Sequence, residues 1–211
     1  YTVDKETGWL IFSDPPGNPM SLTFFDELEK TVRQIKTYPL PKALVLTGSH
    51  RHFSSGARID ELLQQATPDH FSRHAAIMAA IMNFNIPVIA AIRGVCLGAA
   101  LELALHCHYR ICTREAVFAL PESTFNLMPG LGGTSRLLRL TGKAVAMELI
   151  LTGRTFSAGE ALQLGVVDAV VAKHTLRETV LQLAATLPGI HPGNYRKIMK
   201  FKYFKTVQPD V

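Results

Sequence analysis

Cysteine is scarce in this chain of 211 residues, and its scarcity excludes one class of protein. The three cysteines, Cys96, Cys107 and Cys112, are an odd number, so a disulfide framework is excluded as the main source of stability. We expect them to be reduced and buried, as in an intracellular protein of the cytoplasm or the mitochondrial matrix. His106 and His108 flank Cys107, but no third ligand is placed beside them, so we expect no metal site.

Long hydrophobic runs are also absent. The longest, Ala75 to Met82, ends at Asn83 and is far shorter than the ~18 residues that a membrane-spanning helix needs. Nothing near Tyr1 resembles a signal peptide, although the numbering is compatible with a start inside a longer precursor. We therefore expect a globular protein that does not enter a membrane.

Aromatic residues make up only 8% of the chain, and the net charge is a modest +5. A basic excess can attract a polyanion, which leaves RNA binding open as one hypothesis. The few aromatics and the lack of any RNA-binding motif make nucleic acid a poor candidate partner.

Strand and helix patterns alternate along the chain, which predicts an α/β fold. The apolar runs Ala43–Thr47 and Pro87–Ile92 are typical of strands buried on both faces. Before the first of these runs, apolar residues recur at helical spacing after Ser21, which is a suitable N-cap. Residues Leu97–His106 are helical in composition, and the last strand pattern covers Val166–Val171. We therefore predict a core over residues 1–171 and a helical C-terminal region over residues 172–211.

Two junctions between a strand and a helix share an unusual run of small residues. The first joins Leu44–Gly48 to Phe53–Arg58, and the second joins Val88–Gly94 to Leu97–Glu102. Backbone N–H groups are free at a helix N-terminus, and two of them from different junctions can converge on one oxygen as an oxyanion hole. The alternative is that small residues simply allow the helix and strand to pack closely.

Two glutamates stand in positions where a carboxylate needs an explanation. Glu102 is flanked by Leu101 and Leu103 in an apolar helix pattern, and Glu122 follows Pro121 at the end of a strand pattern. A carboxylate among apolar residues is costly unless it is paired or used. Two carboxylates with different pKa values can divide acid and base roles, and the helix dipole near Glu102 favours its ionised form.

Four segments, taken together, resemble the enoyl-CoA hydratase/isomerase (crotonase) superfamily in order and spacing. They are Phe53-Ser-Ser-Gly-Ala57, Gly94-Val-Cys-Leu-Gly-Ala-Ala-Leu-Glu-Leu-Ala104, Pro121-Glu122 with Pro129-Gly-Leu-Gly-Gly-Thr134, and Leu151-Thr-Gly-Arg-Thr-Phe-Ser-Ala-Gly-Glu160 with its continuation to Asp168. The match runs from about residue 43 to residue 171.

The resemblance implies a crotonase-like spiral of ββα units with a helical C-terminal region that builds trimers, which often pair into hexamers. It also implies an acyl-CoA thioester substrate from fatty acid metabolism. CoA would be carried as part of the substrate, with no separate cofactor and no metal.

At the matching positions, the N–H groups of Ala57 and Ala99 would form the oxyanion hole for the thioester carbonyl. Ser55, Ala57 and Arg58 would contact CoA, and Arg58 stands where hydratases of the family commonly carry an aspartate.

Glu102 and Glu122 match the two glutamates of the family's hydratases, and Gly130 would lie beside the catalytic water. The presence of both carboxylates favours hydration of an enoyl-CoA, because addition of water needs one group for the water and another for the proton at Cα. Other reactions of the family, namely isomerisation, lyase or decarboxylase steps on a CoA or acyl-carrier thioester, remain the alternative.

Overall fold

A computed structural model describes residues 1–37, 39–65 and 67–187 of the chain. The strands in this part are β1 (Thr2–Asp4), β2 (Thr7–Phe12), β3 (Ala43–Gly48), β4 (Val88–Ile92), β5 (Val95–Leu97), β6 (Tyr109–Thr113), β7 (Val117–Ala119), β8 (Phe156–Ser157) and β9 (Ala169–Val171). The α-helices are α1 (Leu22–Thr37), α2 (Ile59–Gln65), α3 (Pro68–Met82), α4 (Ala99–His106), α5 (Gly133–Thr141), α6 (Lys143–Thr152), α7 (Ala158–Gln163) and α8 (Leu176–Thr186). A 3-10 helix covers Pro121–Phe125.

The strands form a large sheet and a small sheet. The large sheet has the order β1-β2-β3-β4-β6-β9, and only its β1–β2 pair is antiparallel. In the small sheet β5 pairs with β7 in parallel, and β8 pairs with β7 in the antiparallel direction. Because β3 and β4 are parallel neighbours, the segments that follow them leave the same edge of the large sheet.

Both faces of the large sheet are covered, as the continuous apolar strands predict. Leu44 and Leu46 of β3 face a core that also contains the inner sides of α1, α3 and α4. Val45 faces a second core, which α8 completes with Leu176 and Val180. The prediction of strands buried on both faces is confirmed, because all residues of β3 and β4 are buried.

Helix α1 forms where the periodicity after Ser21 predicts it. The N–H of Phe24 donates to Ser21 Oγ at 3.0 Å, which satisfies one N-terminal donor of the helix. The buried positions are Phe25, Leu28, Val32 and Ile35. They form one apolar stripe against the larger core.

Two strand boundaries differ from the sequence prediction. Leu97, which the helical pattern includes, ends strand β5, because Gly98 adopts a positive φ of 53° that separates the strand from α4. The strand predicted over Val166–Val171 is limited to Ala169–Val171, since the N–H groups of Val166 and Val167 instead donate to Ala161 O at the end of α7.

The described part of the C-terminal region is helical. α8 packs on β3, β4 and β6, and residues 188–211 lie outside the described residues. Within the described ranges, no helix is long and apolar enough to cross a membrane. Cys96, Cys107 and Cys112 are free and buried, as expected.

Candidate functional site

The two small-residue junctions lie side by side in the structure. The N–H of Ser54 donates to Val95 O and the N–H of Leu97 donates to Ser54 O, both at 3.2 Å. Gly56, at φ +91°, approaches the second junction so closely that a Cβ added to it would lie 2.5 Å from Leu97 O and 3.7 Å from Ala99 N. Glycine is therefore required here both for the positive φ and for the close backbone contact.

Ala57 and Ala99 follow these contacts, and both line one cavity. Ala99 is the first residue of α4, so its N–H has no acceptor within the helix. On either side of Ala57 the backbone is bonded to Met20: Gly56 O accepts from the N–H of Met20, and the N–H of Arg58 donates to Met20 O. Neither the Ala57 nor the Ala99 N–H donates to another group in the part of the chain that is described, so both are free to bind a ligand oxygen.

The cavity beside these N–H groups has a volume of about 420 Å³, within the usual range for small-molecule sites. Its wall is mostly apolar and includes Phe25, Ile59, Leu62, Phe71, Leu97 and Met128. A second cavity of about 280 Å³ lies between β2 and α1, and it contains none of the residues predicted for the site.

Glu102 lies on α4 with only 2% of its surface exposed, and it lines the cavity. Its Oε1 accepts hydrogen bonds from the N–H groups of Leu131 at 2.9 Å and Gly133 at 2.7 Å, at the start of α5. Burial raises the pKa of Glu102 to about 7; the Gly133 bond opposes this rise, the charge of Glu122 adds to it, and the Leu131 bond opposes it. The helix dipole alone predicts a more acidic group, but the cost of desolvation is larger.

Glu122 lies in the 3-10 helix directly after β7, and it lines the same cavity. Its Oε2 is buried and has no hydrogen-bond partner among the described residues, and its Oε1 would lie 3.0 Å from a Cβ added to Gly98. Burial raises the pKa of Glu122 above its ordinary value. The structure therefore brings Glu102 and Glu122, which are far apart in sequence, to one cavity.

The other predicted site residues divide into two groups. Ser55 and Gly130 line the cavity together with the two glutamates. Arg58 is exposed and does not line it; its guanidinium lies 3.4 Å from the Asp14 carboxylate and 3.7 Å from that of Glu61.

The histidines beside Cys107 take part in separate backbone contacts. His106 Nδ1 lies 2.8 Å from Glu102 O, and the N–H of Val88 donates to His108 Nδ1 at 2.9 Å. Among the described residues, no group of three or more potential ligands could hold a metal ion.

His74 also lines the cavity, and the sequence patterns do not predict a role for it. It lies on α3 with 3% of its surface exposed, and its ring stacks on Phe25 with 3.9 Å between centroids. Its only signal in the sequence is its helical spacing with Ile77, Met78 and Ile81, which marks the buried face of α3. That spacing is the same for a core residue and for a cavity residue.

Comparison with known proteins finds relatives along almost the whole chain. Residues 8–207 match the enoyl-CoA hydratase/isomerase family. The chain is 35% identical over 211 residues to a probable enoyl-CoA hydratase of Bacillus subtilis (strain 168), with 97% of the chain and 81% of the relative covered. It is 40% identical over 187 residues to a peroxisomal bifunctional enzyme of Danio rerio, with 89% of the chain covered, but it spans only 26% of that enzyme's length.

Solved structures show the same fold. An enoyl-CoA hydratase from Bacillus anthracis superposes with a TM-score of 0.84 at 33% identity, covering 92% of this chain and 78% of that one. A Thermobifida fusca YX protein, described as a candidate enoyl-CoA hydratase and solved in complex with CoA, gives 0.84 at 31% identity and covers 95% and 82%. These similarities confirm the crotonase-like α/β fold that the sequence motifs imply.

Proposed function

Because this chain belongs to the enoyl-CoA hydratase/isomerase family, we propose that it is an enoyl-CoA hydratase, which adds water across the α,β double bond of an enoyl-CoA thioester. The observation that carries the proposal is the position of Glu102 and Glu122 in one cavity with the free N–H groups of Ala57 and Ala99. Family members that move a double bond need one proton shuttle, whereas hydration needs two groups.

The thioester carbonyl oxygen is proposed to bind the N–H groups of Ala57 and Ala99. An oxyanion donor of this kind is typically worth ~10²–10³ in rate, because it stabilises the negative charge that develops on the enolate oxygen. CoA enters as part of the substrate, with Ser55 at the cavity wall and Arg58 outside it. Arg58 would exchange its contacts with nearby carboxylates for a CoA phosphate, at little cost, because exposed ion pairs are weak.

Glu102 and Glu122 are proposed to perform the proton transfers. A water beside Gly130 loses a proton to Glu102 while its oxygen bonds to Cβ, and Glu122 donates a proton to Cα. The products are a 3-hydroxyacyl-CoA and exchanged protonation states of the two carboxyls. Transfer of one proton from Glu102 to Glu122 restores the starting state, so the net change is the addition of one water.

The hydrogen-bond donors around the two carboxyls support this division of labour. Two backbone N–H groups hold Glu102 Oε1 and stabilise the ionised form that a base requires. The buried Glu122 Oε2 has no such donor in the part of the chain that the structure describes, which favours the protonated form that an acid requires. A pKa of about 7 at Glu102 is also close to the value at which a general base is most effective at neutral pH.

The assembly proposed for the chain is a homotrimer or a dimer of trimers. Light scattering at micromolar concentration measures it directly, and a monomer would contradict this part of the proposal.

The activity is tested by the loss of enoyl-thioester absorbance with crotonyl-CoA, together with a mass measurement of the product. We expect the product to gain the mass of one water. A product of unchanged mass would indicate an isomerase. No loss of absorbance would contradict the hydratase proposal and would favour a lyase or decarboxylase, because crotonyl-CoA has no carboxylate to lose.

Variants of the two glutamates test the proposed roles. Glu102→Gln and Glu122→Gln should each lower the hydration rate by ~10²–10⁴, whereas Glu115→Gln, at an exposed position outside the cavity, should have no effect. In heavy water, Glu102→Gln should retain exchange of the Cα proton of a saturated acyl-CoA, and Glu122→Gln should lose it. The opposite pattern would reverse the roles, and a loss of less than tenfold in both variants would contradict the hydratase assignment.

A further inference from the structure

The wall formed by α1, α2 and α3 contains one polar ring among apolar side chains. His74 stands there with Phe25, Leu62 and Phe71. Its ring lies 13° from parallel to the Phe25 ring, with 3.9 Å between centroids, so Phe25 covers one face. The nitrogens of an imidazole lie at the ring edge, so stacking leaves them available for hydrogen bonds in the ring plane.

The nitrogens of His74 have no hydrogen-bond partner in the described residues, although only 3% of the surface of His74 is exposed. Neither nitrogen is completely sealed from solvent, and the residue lines the cavity. A hydrocarbon that fills this part of the cavity would exclude water and leave the nitrogens without a hydrogen bond, which weakens binding. A ligand oxygen at the same place would bond to the ring and avoid that loss.

The ring is neutral under physiological conditions. Burial lowers the pKa of His74 to about 4; the positive charges of His70 and Arg73 add to the effect, and Asp26 and Glu29 oppose it. A neutral imidazole offers one N–H donor and one nitrogen acceptor. It therefore suits a hydroxyl or a carbonyl group and does not suit a carboxylate that needs a positive charge.

The proposed function places the thioester carbonyl at Ala57 and Ala99, and the reacting carbons between Glu102 and Glu122. The remainder of the acyl group would then contact the cavity wall formed by α1, α2 and α3. We propose that His74 is a specificity-determining residue that hydrogen-bonds an uncharged oxygen substituent, a hydroxyl or keto group, on the distal part of the acyl chain. This inference rests on the proposed hydratase function for the direction of the substrate.

Binding of saturated acyl-CoA thioesters tests the proposal without turnover. The first pair of probes is 6-hydroxyhexanoyl-CoA and heptanoyl-CoA, and the second is 5-oxohexanoyl-CoA and 5-methylhexanoyl-CoA. The members of each pair have equal numbers of non-hydrogen atoms and differ only in the oxygen. In calorimetric titrations of the wild type, we expect the oxygenated member of at least one pair to bind about tenfold more tightly.

Substitution of the ring identifies the residue responsible. His74→Phe keeps an aromatic ring against Phe25 but removes both nitrogens, so the preference should disappear or favour the hydrocarbon. His74→Gln restores a donor and an acceptor and should recover part of the preference. His174→Phe makes the same change at an exposed turn outside the cavity and should leave the preference at the wild-type value.

The ratio within one variant cancels any general loss of affinity or folding. Equal binding within both pairs by the wild type would overturn the proposal, as would an unchanged ratio in His74→Phe. Failure of the wild type to hydrate crotonyl-CoA would contradict the proposed function separately, because the binding ratios are measured without hydration.

Discussion

A single methyl group at Gly133 should displace Glu102 from its position in the cavity. Gly133 is the first residue of α5 and donates its N–H to Glu102 Oε1 at 2.7 Å. A Cβ added to Gly133 would lie 2.6 Å from Glu102 Cγ and 2.9 Å from Oε1. Alanine at this position is compatible with helical backbone, so the perturbation acts on the glutamate side chain and not on the backbone conformation.

The expected changes in stability and rate differ strongly in size. Alanine in place of glycine in a helix gains about 1 kcal/mol, and overpacking against Glu102 costs ~1–3 kcal/mol. The free energy of unfolding should therefore change by no more than about 2 kcal/mol. Displacement of a group that activates water should lower kcat by ~10²–10⁴, because general acid–base catalysis depends on the position of the group.

The assay compares Gly133→Ala with Gly159→Ala by crotonyl-CoA hydration and urea unfolding. Gly159 also lies in the first turn of a helix, but its added Cβ would only meet Ser157 Oγ at 3.8 Å. That control should keep the wild-type rate and gain about 0.5–1 kcal/mol in stability. If the methyl acts through Glu102, the double variant Gly133→Ala with Glu102→Gln should be no slower than Glu102→Gln alone. A Gly133→Ala protein with more than half the wild-type kcat would refute the reasoning.

Three further predictions concern the pH dependence of stability, the buried Arg110 and the glycine beside Glu122. The pKa of Glu102 is about 7 in the fold and 4.5 as its ordinary value, so the folded state retains a proton that the unfolded chain loses between these pH values. Glu102 should therefore contribute a fall of about 3 kcal/mol in stability as the pH rises across that window. In urea titrations the fall should be smaller by this amount in Glu102→Gln, where the raised pKa of Glu122 still contributes; equal pH dependence in both proteins would contradict the prediction. Arg110 is fully buried, donates to Val166 O and Cys107 O, and forms an ion pair with Asp168. Arg110→Met removes these side-chain interactions and should lose ~3–5 kcal/mol in thermal unfolding; an unchanged midpoint would contradict the prediction. Gly98→Ala combines a φ of 53° with a contact of 3.0 Å between the added Cβ and Glu122 Oε1, so it should lose both stability and hydration rate. Gly165→Ala, at φ 71° and with no atom of the described residues within 4 Å of the added Cβ, should lose stability alone.

Local patterns in the sequence were sufficient to predict most elements that form the core. The spacing of Phe25, Leu28, Val32 and Ile35 predicts α1 because one apolar stripe of a helix has to face the interior. The continuous apolar run of β3 predicts a strand covered on both faces, and the structure confirms it. Very short strands such as β1 and β8 escape prediction, because two or three residues carry no measurable periodicity.

The motifs of the site were also visible in the sequence, and they led to the correct family and fold. Residue type and spacing marked Glu102 and Glu122 as carboxylates among apolar residues, where core packing does not explain a charged group. The same motifs placed Ala57 and Ala99 after strands, where free N–H groups occur. These signals are local, because each depends on a residue and its immediate neighbours in the chain.

The tertiary structure alone decided the environment of these residues. The donors to Glu102 come from Leu131 and Gly133, 29 and 31 residues away, and the pKa of about 7 results from burial by distant elements. His74 has the spacing of an ordinary core residue, and only the packing of α1 and α3 shows that it lines the cavity. Periodicity reports that a side chain is covered by something, whereas the chemistry of a buried polar group depends on which atoms cover it, and those atoms are brought there by contacts between distant segments of the chain.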